Sequence, residues 1–220
     1  MTDVAEQIEE VEHHLLNMRH ALAQMDSATS ATDLRKAWGD YLASFSRAIG
    51  RLIAFGKKDL RSREWSGLLK RASENDDPGL LYLREARNTV EHPREAFATF
   101  RDPLLRVGDV PLFSGPGKAA MTFQNCIVNG RPTGDFHIET QACRVISLKG
   151  APLVSVVEVP ASVLLDEVRT NKGKTVVPVP DGIMRRKIIS RKPVELAERA
   201  TEFIFDCLQE LKTLWEIKDL

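Results

Sequence analysis

The chain has 220 residues, 43% of them hydrophobic, and its thirty-one basic side chains balance thirty-one acidic ones to a net formal charge of zero. That suffices for one full core plus an insertion. It argues against a protein that holds long nucleic acid by bulk positive charge, and no apolar run is long enough to span a bilayer.

At the N-terminus Val4, Ile8, Val11, Leu15, Met18, Leu22 and Met25 recur at steps of four and three, which predicts a helix over 3–25 with Asp3 and Glu6 as its capping box. The same stretch is acidic and amphipathic, unlike a signal peptide. A short polar link, 26–31, leads to a second helix over 32–54, capped by Ser30 or Thr32. Its stripe is Leu34, Trp38, Tyr41, Phe45, Ala48 and Leu52, widened by Leu42 and Ile49. Two long helices across a short loop read as an antiparallel hairpin. Gly56 is expected to stop the second helix. A short edge helix follows within Lys57–Arg71. The stretch 74–79 is a turn, with Asp77 placed to cap a helix that opens at Pro78 and buries Leu83, Ala86 and Val90.

From 104 to 191 glycines and prolines punctuate short β-prone runs at 121–128, 136–148, 153–159 and 175–179. Asn129-Gly130 and Asn171-Lys172-Gly173 are hairpin turns, and Ser162–Val168 is a candidate short helix. A final helix from Pro193 carries a broad stripe of Leu196, Ala200, Phe203, Cys207, Leu211 and Leu214, with Ile204, Leu208 and Trp215 beside it. A stripe this wide packs against several helices. The fold class is α+β: an up-down helical bundle over 1–103 and 192–220, with a small antiparallel β region inserted at 104–191.

The three cysteines Cys126, Cys143 and Cys207 are far apart and odd in number, which does not suit a disulfide framework. No Cys/His cluster has zinc spacing, so neither metal nor cofactor is expected, and the chain reads as cytoplasmic. His13-His14, beside Glu10 and Asn17, reads as a solvated pair. Gly115-Pro116-Gly117-Lys118 lacks the ending of a phosphate loop and reads as a turn. Basic runs at 57–71 and 185–192 read singly as solvated faces.

The stretch with most chemistry is Arg87-Asn88-Thr89-Val90-Glu91-His92, followed by Pro93. It holds a permanent cation, an amide and an imidazole within about a turn and a half of helix. Cutting RNA without a metal needs little more, because the ribose 2′-OH is the nucleophile: a histidine moves protons and a guanidinium stabilises the phosphorane. The bare pattern recurs at Arg131 and His137, where Pro132 and Gly134 favour a turn. Structurally, Arg87 and Glu91 also suit an i,i+4 ion pair, with Arg84 close to both.

The 87–92 motif, with its four-residue spacer and Asn88 in the polar slot, resembles that of HEPN-superfamily proteins. The resemblance covers the helical half of the chain. It implies a bundle of four or five helices, and in several members a metal-independent endoribonuclease of toxin, defence or RNA-processing systems. Arg87 and His92 would then be catalytic, with Asn88 and Arg84 holding substrate. RNA, a second copy of the chain and an antitoxin-type protein are the partners so implied, with no membrane. The other reading is a HEPN-like helical module without catalysis, for protein or nucleic-acid binding and assembly.

Overall fold

In a computed structural model the described residues are 4–58, 60–91, 98–114, 117–170 and 175–215. The chain runs α1 (Val4–Ser27), α2 (Ala31–Lys58), α3 (Leu60–Arg71), a π-helix (Ala72–Asp76) and α4 (Pro78–Glu91). Then come β1 (Ala98–Arg101), β2 (Leu104–Val107), β3 (Val110–Ser114), β4 (Lys118–Phe123), β5 (Ile127–Val128), β6 (Arg131–Pro132) and β7 (Phe136–Gln141). After these follow β8 (Arg144–Gly150), β9 (Val156–Val159), β10 (Ser162–Leu165), β11 (Val168–Arg169), β12 (Val176–Val177), β13 (Gly182–Ile183), β14 (Arg186–Lys187) and α5 (Pro193–Leu214). The class is α+β, about half helical, with several small antiparallel sheets in place of one.

The chain forms two compact units, one of residues 1–26, 36–99 and 164–220, the other of 27–35 and 100–163. Residues 164–191 therefore count with the helices, and 27–35 and 100–103 with the strands.

In the helical unit the apolar stripes do what their spacing demands. Ile8, Val11, Leu15, Met18 and Met25 of α1 are buried, as are Trp38, Tyr41, Leu42, Phe45, Ala48 and Leu52 of α2. On α5, Leu196, Ala200, Phe203, Ile204, Cys207, Leu208 and Leu211 are buried, whereas Leu214 is exposed. The buried Tyr41 hydroxyl donates to the Ala197 carbonyl of α5 at 2.7 Å, so a polar tip inside the core is satisfied. Burial raises the pKa of that hydroxyl. Gly56 does not stop α2, which runs on to Lys58. A helical glycine costs only about 1 kcal/mol, and buried Phe55 just before it packs edge-on against Trp215.

Asp77 caps α4 as its position suggests, accepting the Leu80 N–H at 2.8 Å. The preceding segment is a π-helix and not a simple turn. The other Asp77 oxygen accepts the Met184 N–H at 2.6 Å, drawing the β13–β14 hairpin onto the start of α4. Gly79 permits that approach, because a Cβ there would lie 2.6 Å from the Gly182 carbonyl oxygen. Ser162–Val168 is not helix. It forms β10 and the start of β11, with Val163 and Leu165 buried alternately, the period of a strand.

The strand unit holds two three-stranded sheets, ordered β3-β2-β9 and β4-β7-β8. Leu105 and Val107 of β2 share a core with Phe136 and Ile138 of β7. Asn129-Gly130 closes the β5–β6 hairpin with both φ values positive, 50° and 76°, which suits Asn-Gly. Two more hairpins close without glycine, at Ala142-Cys143 (51°, 59°) between β7 and β8 and at Met184-Arg185 (45°, 69°) between β13 and β14. The Asn171-Lys172-Gly173 turn and the Asp3 cap lie outside the described residues.

In the first turn of α5, Glu195 accepts the Ser190 hydroxyl and the Ile189 and Ser190 N–H groups at 2.6, 2.7 and 2.8 Å. These bonds, the Ser190 hydroxyl foremost, hold its pKa below the ordinary carboxylate value. The stability they add is present above the unfolded-state pKa and is lost as pH falls through the lowered folded value.

Gly79→Ala should destabilise the fold by about 1–3 kcal/mol through overpacking. Gly50→Ala and Gly67→Ala, where an added Cβ meets nothing within 4 Å, should stabilise by about 0.4–1 kcal/mol. Urea unfolding of the three variants measures both signs.

Candidate functional site

Three of the four residues singled out by the motif lie on α4 within the described residues, and His92 lies outside them. Leu80, Tyr82, Leu83 and Ala86 are buried and set the inward face of the helix. Val90 is not part of that face. It is 36% exposed, with Cγ1 3.8 Å from where a Cβ on Gly39 of α2 would sit. Arg87 is half-buried on the flank.

The charge that organises this flank is Glu85, only 4% exposed. Arg84 donates to Glu85 Oε1 through Nε at 3.0 Å, and its Nη2 lies 2.9 Å from the same oxygen. Asn88 Nδ2 reaches Glu85 Oε2 at 3.4 Å. The Arg84 Nη1 group also donates to the Ser73 and Glu74 carbonyls, both at 3.3 Å, where the π-helix passes α4. Of the residues expected to hold substrate, both are thus engaged by one carboxylate. A phosphate placed here would compete with that carboxylate for the same donors and would meet its negative charge. The Glu91 side chain of the expected Arg87–Glu91 pair lies outside the described residues.

Sequence reasoning passed over Glu85. The available signal was its place three residues after Tyr82 and one before Ala86, inside the arc that the apolar residues define. An acid there is sustained only by a partner, and Arg84 supplies it.

No family model matches the chain, and no curated protein and no solved structure does so either.

The second copy of the pattern falls on strands. Arg131 lies in β6 and is exposed, while His137 in β7 shares a hydrogen bond with Thr122 Oγ1 at 2.8 Å. Among the described residues no three His, Cys, Asp or Glu side chains gather as a metal-binding group. Of the free cysteines, Cys207 is buried, and burial together with Glu210 and Asp206 pushes its thiol up to about 12, far from a reactive thiolate.

Arg84→Ala should cost about 1–3 kcal/mol, because it strands a buried carboxylate. Adding Glu85→Leu should recover most of that loss, since replacing both partners by apolar groups removes the unpaired charge. Denaturant unfolding of the single and double variants checks the pair, and no recovery in the double variant would refute the structural role.

Proposed function

We propose that this chain is a HEPN-like helical module that works through self-association and binding, without catalysis. The observation that carries the reading is the engagement of Arg84 and Asn88 by the buried Glu85 carboxylate. Two of the four candidate site residues, Arg84 and Asn88, then serve the packing of α4 and the π-helix. The zero net charge agrees, since a protein that processes long RNA gains affinity from a basic surface.

The partner is a second copy of the chain, docked on the face that α1 and α5 share. These helices run antiparallel, with Glu12 Oε1 2.8 Å from Lys212 Nζ and the Arg19 guanidinium 5.6 Å from the centre of the Phe205 ring. A groove of about 370 Å³ lies between them. Leu16 and Phe205 leave it 49% and 39% exposed, large apolar side chains on adjacent helices. The exposed ridge of α1 is polar in charge as well. Glu9 and Glu12 precede Leu16, and Arg19 and His20 follow it. A two-fold axis at Leu16 lays the acidic first half of one ridge along the basic second half of its copy, so the ridge is complementary to itself when antiparallel.

Light scattering should give twice 24.7 kDa, and Leu16→Glu should return the mass to one copy with the helical content unchanged. In a Cys126→Ser background, Leu16→Cys should cross-link to itself on mild oxidation, because the axis places the two copies of that residue together. A single-copy mass for the wild type at every concentration would refute the association.

Metal-independent endoribonuclease activity is the second reading. Arg87 lies on the half-buried flank of α4, five residues before His92, at the spacing that the HEPN resemblance implies. Under that reading Arg87 stabilises the scissile phosphate and His92 moves the proton. Cleavage of RNA in EDTA that falls by about two to four orders of magnitude in His92→Ala, and not in Arg131→Ala with His137→Ala, would establish it and overturn the non-catalytic module. Equal behaviour of wild type and His92→Ala would leave the module.

A further inference from the structure

Three loops of the strand unit line one cleft of about 370 Å³. They are the β2–β3 turn at Gly108 and Asp109, the β5–β6 hairpin from Val128 to Arg131, and the segment 151–155 between β8 and β9. Backbone contacts hold the three together. The Gly108 N–H donates to the Ser155 carbonyl at 2.7 Å, and the Leu153 N–H donates at 2.8 Å to the carbonyl of Thr133, just beyond β6. A Cβ on Gly108 would lie 3.8 Å from Val128 Cγ1, so the turn and the hairpin pass close to each other. Loops tied in this way need little further ordering to receive a ligand.

Val128, Leu153 and Val154 give the cleft an apolar wall, and Leu153 is 69% exposed there. Its charged groups are of opposite sign. Asp109 and Arg131 both line it and both are exposed. Neither has an ion-pair or side-chain hydrogen-bond partner among the described residues, and they do not pair with each other. Opposite charges on adjoining loops that stay apart suit a molecule that carries both. We propose that this cleft binds a small zwitterion with an aliphatic body, an apolar α-amino acid. Its carboxylate lies on the Arg131 guanidinium, its ammonium on the Asp109 carboxylate and its side chain against Leu153.

A guanidinium offers two parallel N–H groups to a carboxylate, and a carboxylate accepts charge-assisted bonds from an ammonium. A simple anion would gain Arg131 but meet the like charge of Asp109, and a simple cation would meet the reverse. The remaining charged side chains of these segments leave that balance alone. Arg106 and Lys149 are exposed on β2 and β8 but do not line the cleft. Asp135 accepts the Asn125 N–H at 3.0 Å, and Glu158 accepts the Val145 N–H at 2.7 Å. The cleft lies wholly in the strand unit and takes no part in either reading of α4.

Free leucine can be titrated into the isotope-labelled full chain, with the amide signals of Gly108, Leu153 and Val154 followed by NMR. Those signals should move in a saturable way. Isoamylamine, which is leucine without its carboxylate, and isocaproate, which is leucine without its ammonium, should each bind about tenfold more weakly or worse. Asp109→Asn should weaken leucine by a similar factor, while isocaproate, relieved of a like charge, binds no worse. Arg131→Gln should weaken leucine in the same way and leave isoamylamine no worse. Both side chains are exposed, so both variants should keep the folded spectrum. No saturable shift with leucine, equal affinity for leucine and its two singly charged analogues, or leucine binding undiminished in either variant would each overturn the site.

Discussion

Asp77 gives one carboxylate oxygen to the Leu80 N–H and the other to the Met184 N–H. The first bond starts α4 immediately after the π-helix, and the second pins a hairpin more than a hundred residues away in sequence. Because Gly79 leaves no Cβ in the way, the hairpin backbone closes onto the helix. Around that junction Val168, Val177 and Ile183 are buried, and Tyr82 donates its hydroxyl to the Asp166 carbonyl at 2.7 Å. The position of α4, and with it of Arg84, Arg87 and Asn88, follows from this one two-sided cap. The non-glycine turn at Met184-Arg185 is sustained here because long-range contacts hold both ends of the hairpin.

Glu85 draws the polar flank of the same helix into its packing. A carboxylate removed from water is tolerable only when paired, and Arg84 and Asn88 pair it. The Arg84 guanidinium also takes up the Ser73 and Glu74 carbonyls, so the polar flank of α4 is stitched to the π-helix before it. Donors consumed in this way have less to offer a phosphate. The same chemistry that recommends an arginine and an amide as an RNA-cutting kit makes them good partners for a buried acid, and the acid lies within the same helical turn.

The neutral total conceals a strongly sorted surface. One flank of α1 carries acids followed by bases around Leu16, and on the other Glu10 pairs with Arg51 of α2. Opposite charges sorted along one ridge suit a copy of that ridge in reverse. Charge balance over the whole chain does not register that sorting.

Much of the helical architecture was legible from periodicity, because an apolar stripe on a helix reflects a short-range rule. Leu34 to Leu52 and Leu196 to Leu211 are buried as their steps require, and Asn129-Gly130 turns where its two residues favour a positive φ. The Arg87–His92 spacing could be read in the same way, as a pattern on one helix. What lay beyond the sequence depended on distant neighbours. Residues 162–168 became strands because partners elsewhere bury alternate side chains. Gly56 failed to end α2 because packing at Phe55 outweighs the modest helical penalty of a glycine. Residues 164–191 joined the helical unit through Asp77 and Gly79, a contact that no local window contains. Local sequence determined which segments could be helix or hairpin. The tertiary structure alone decided that Glu85 would be buried and would take Arg84 and Asn88 with it, because the cost of burying a charge depends on what surrounds it.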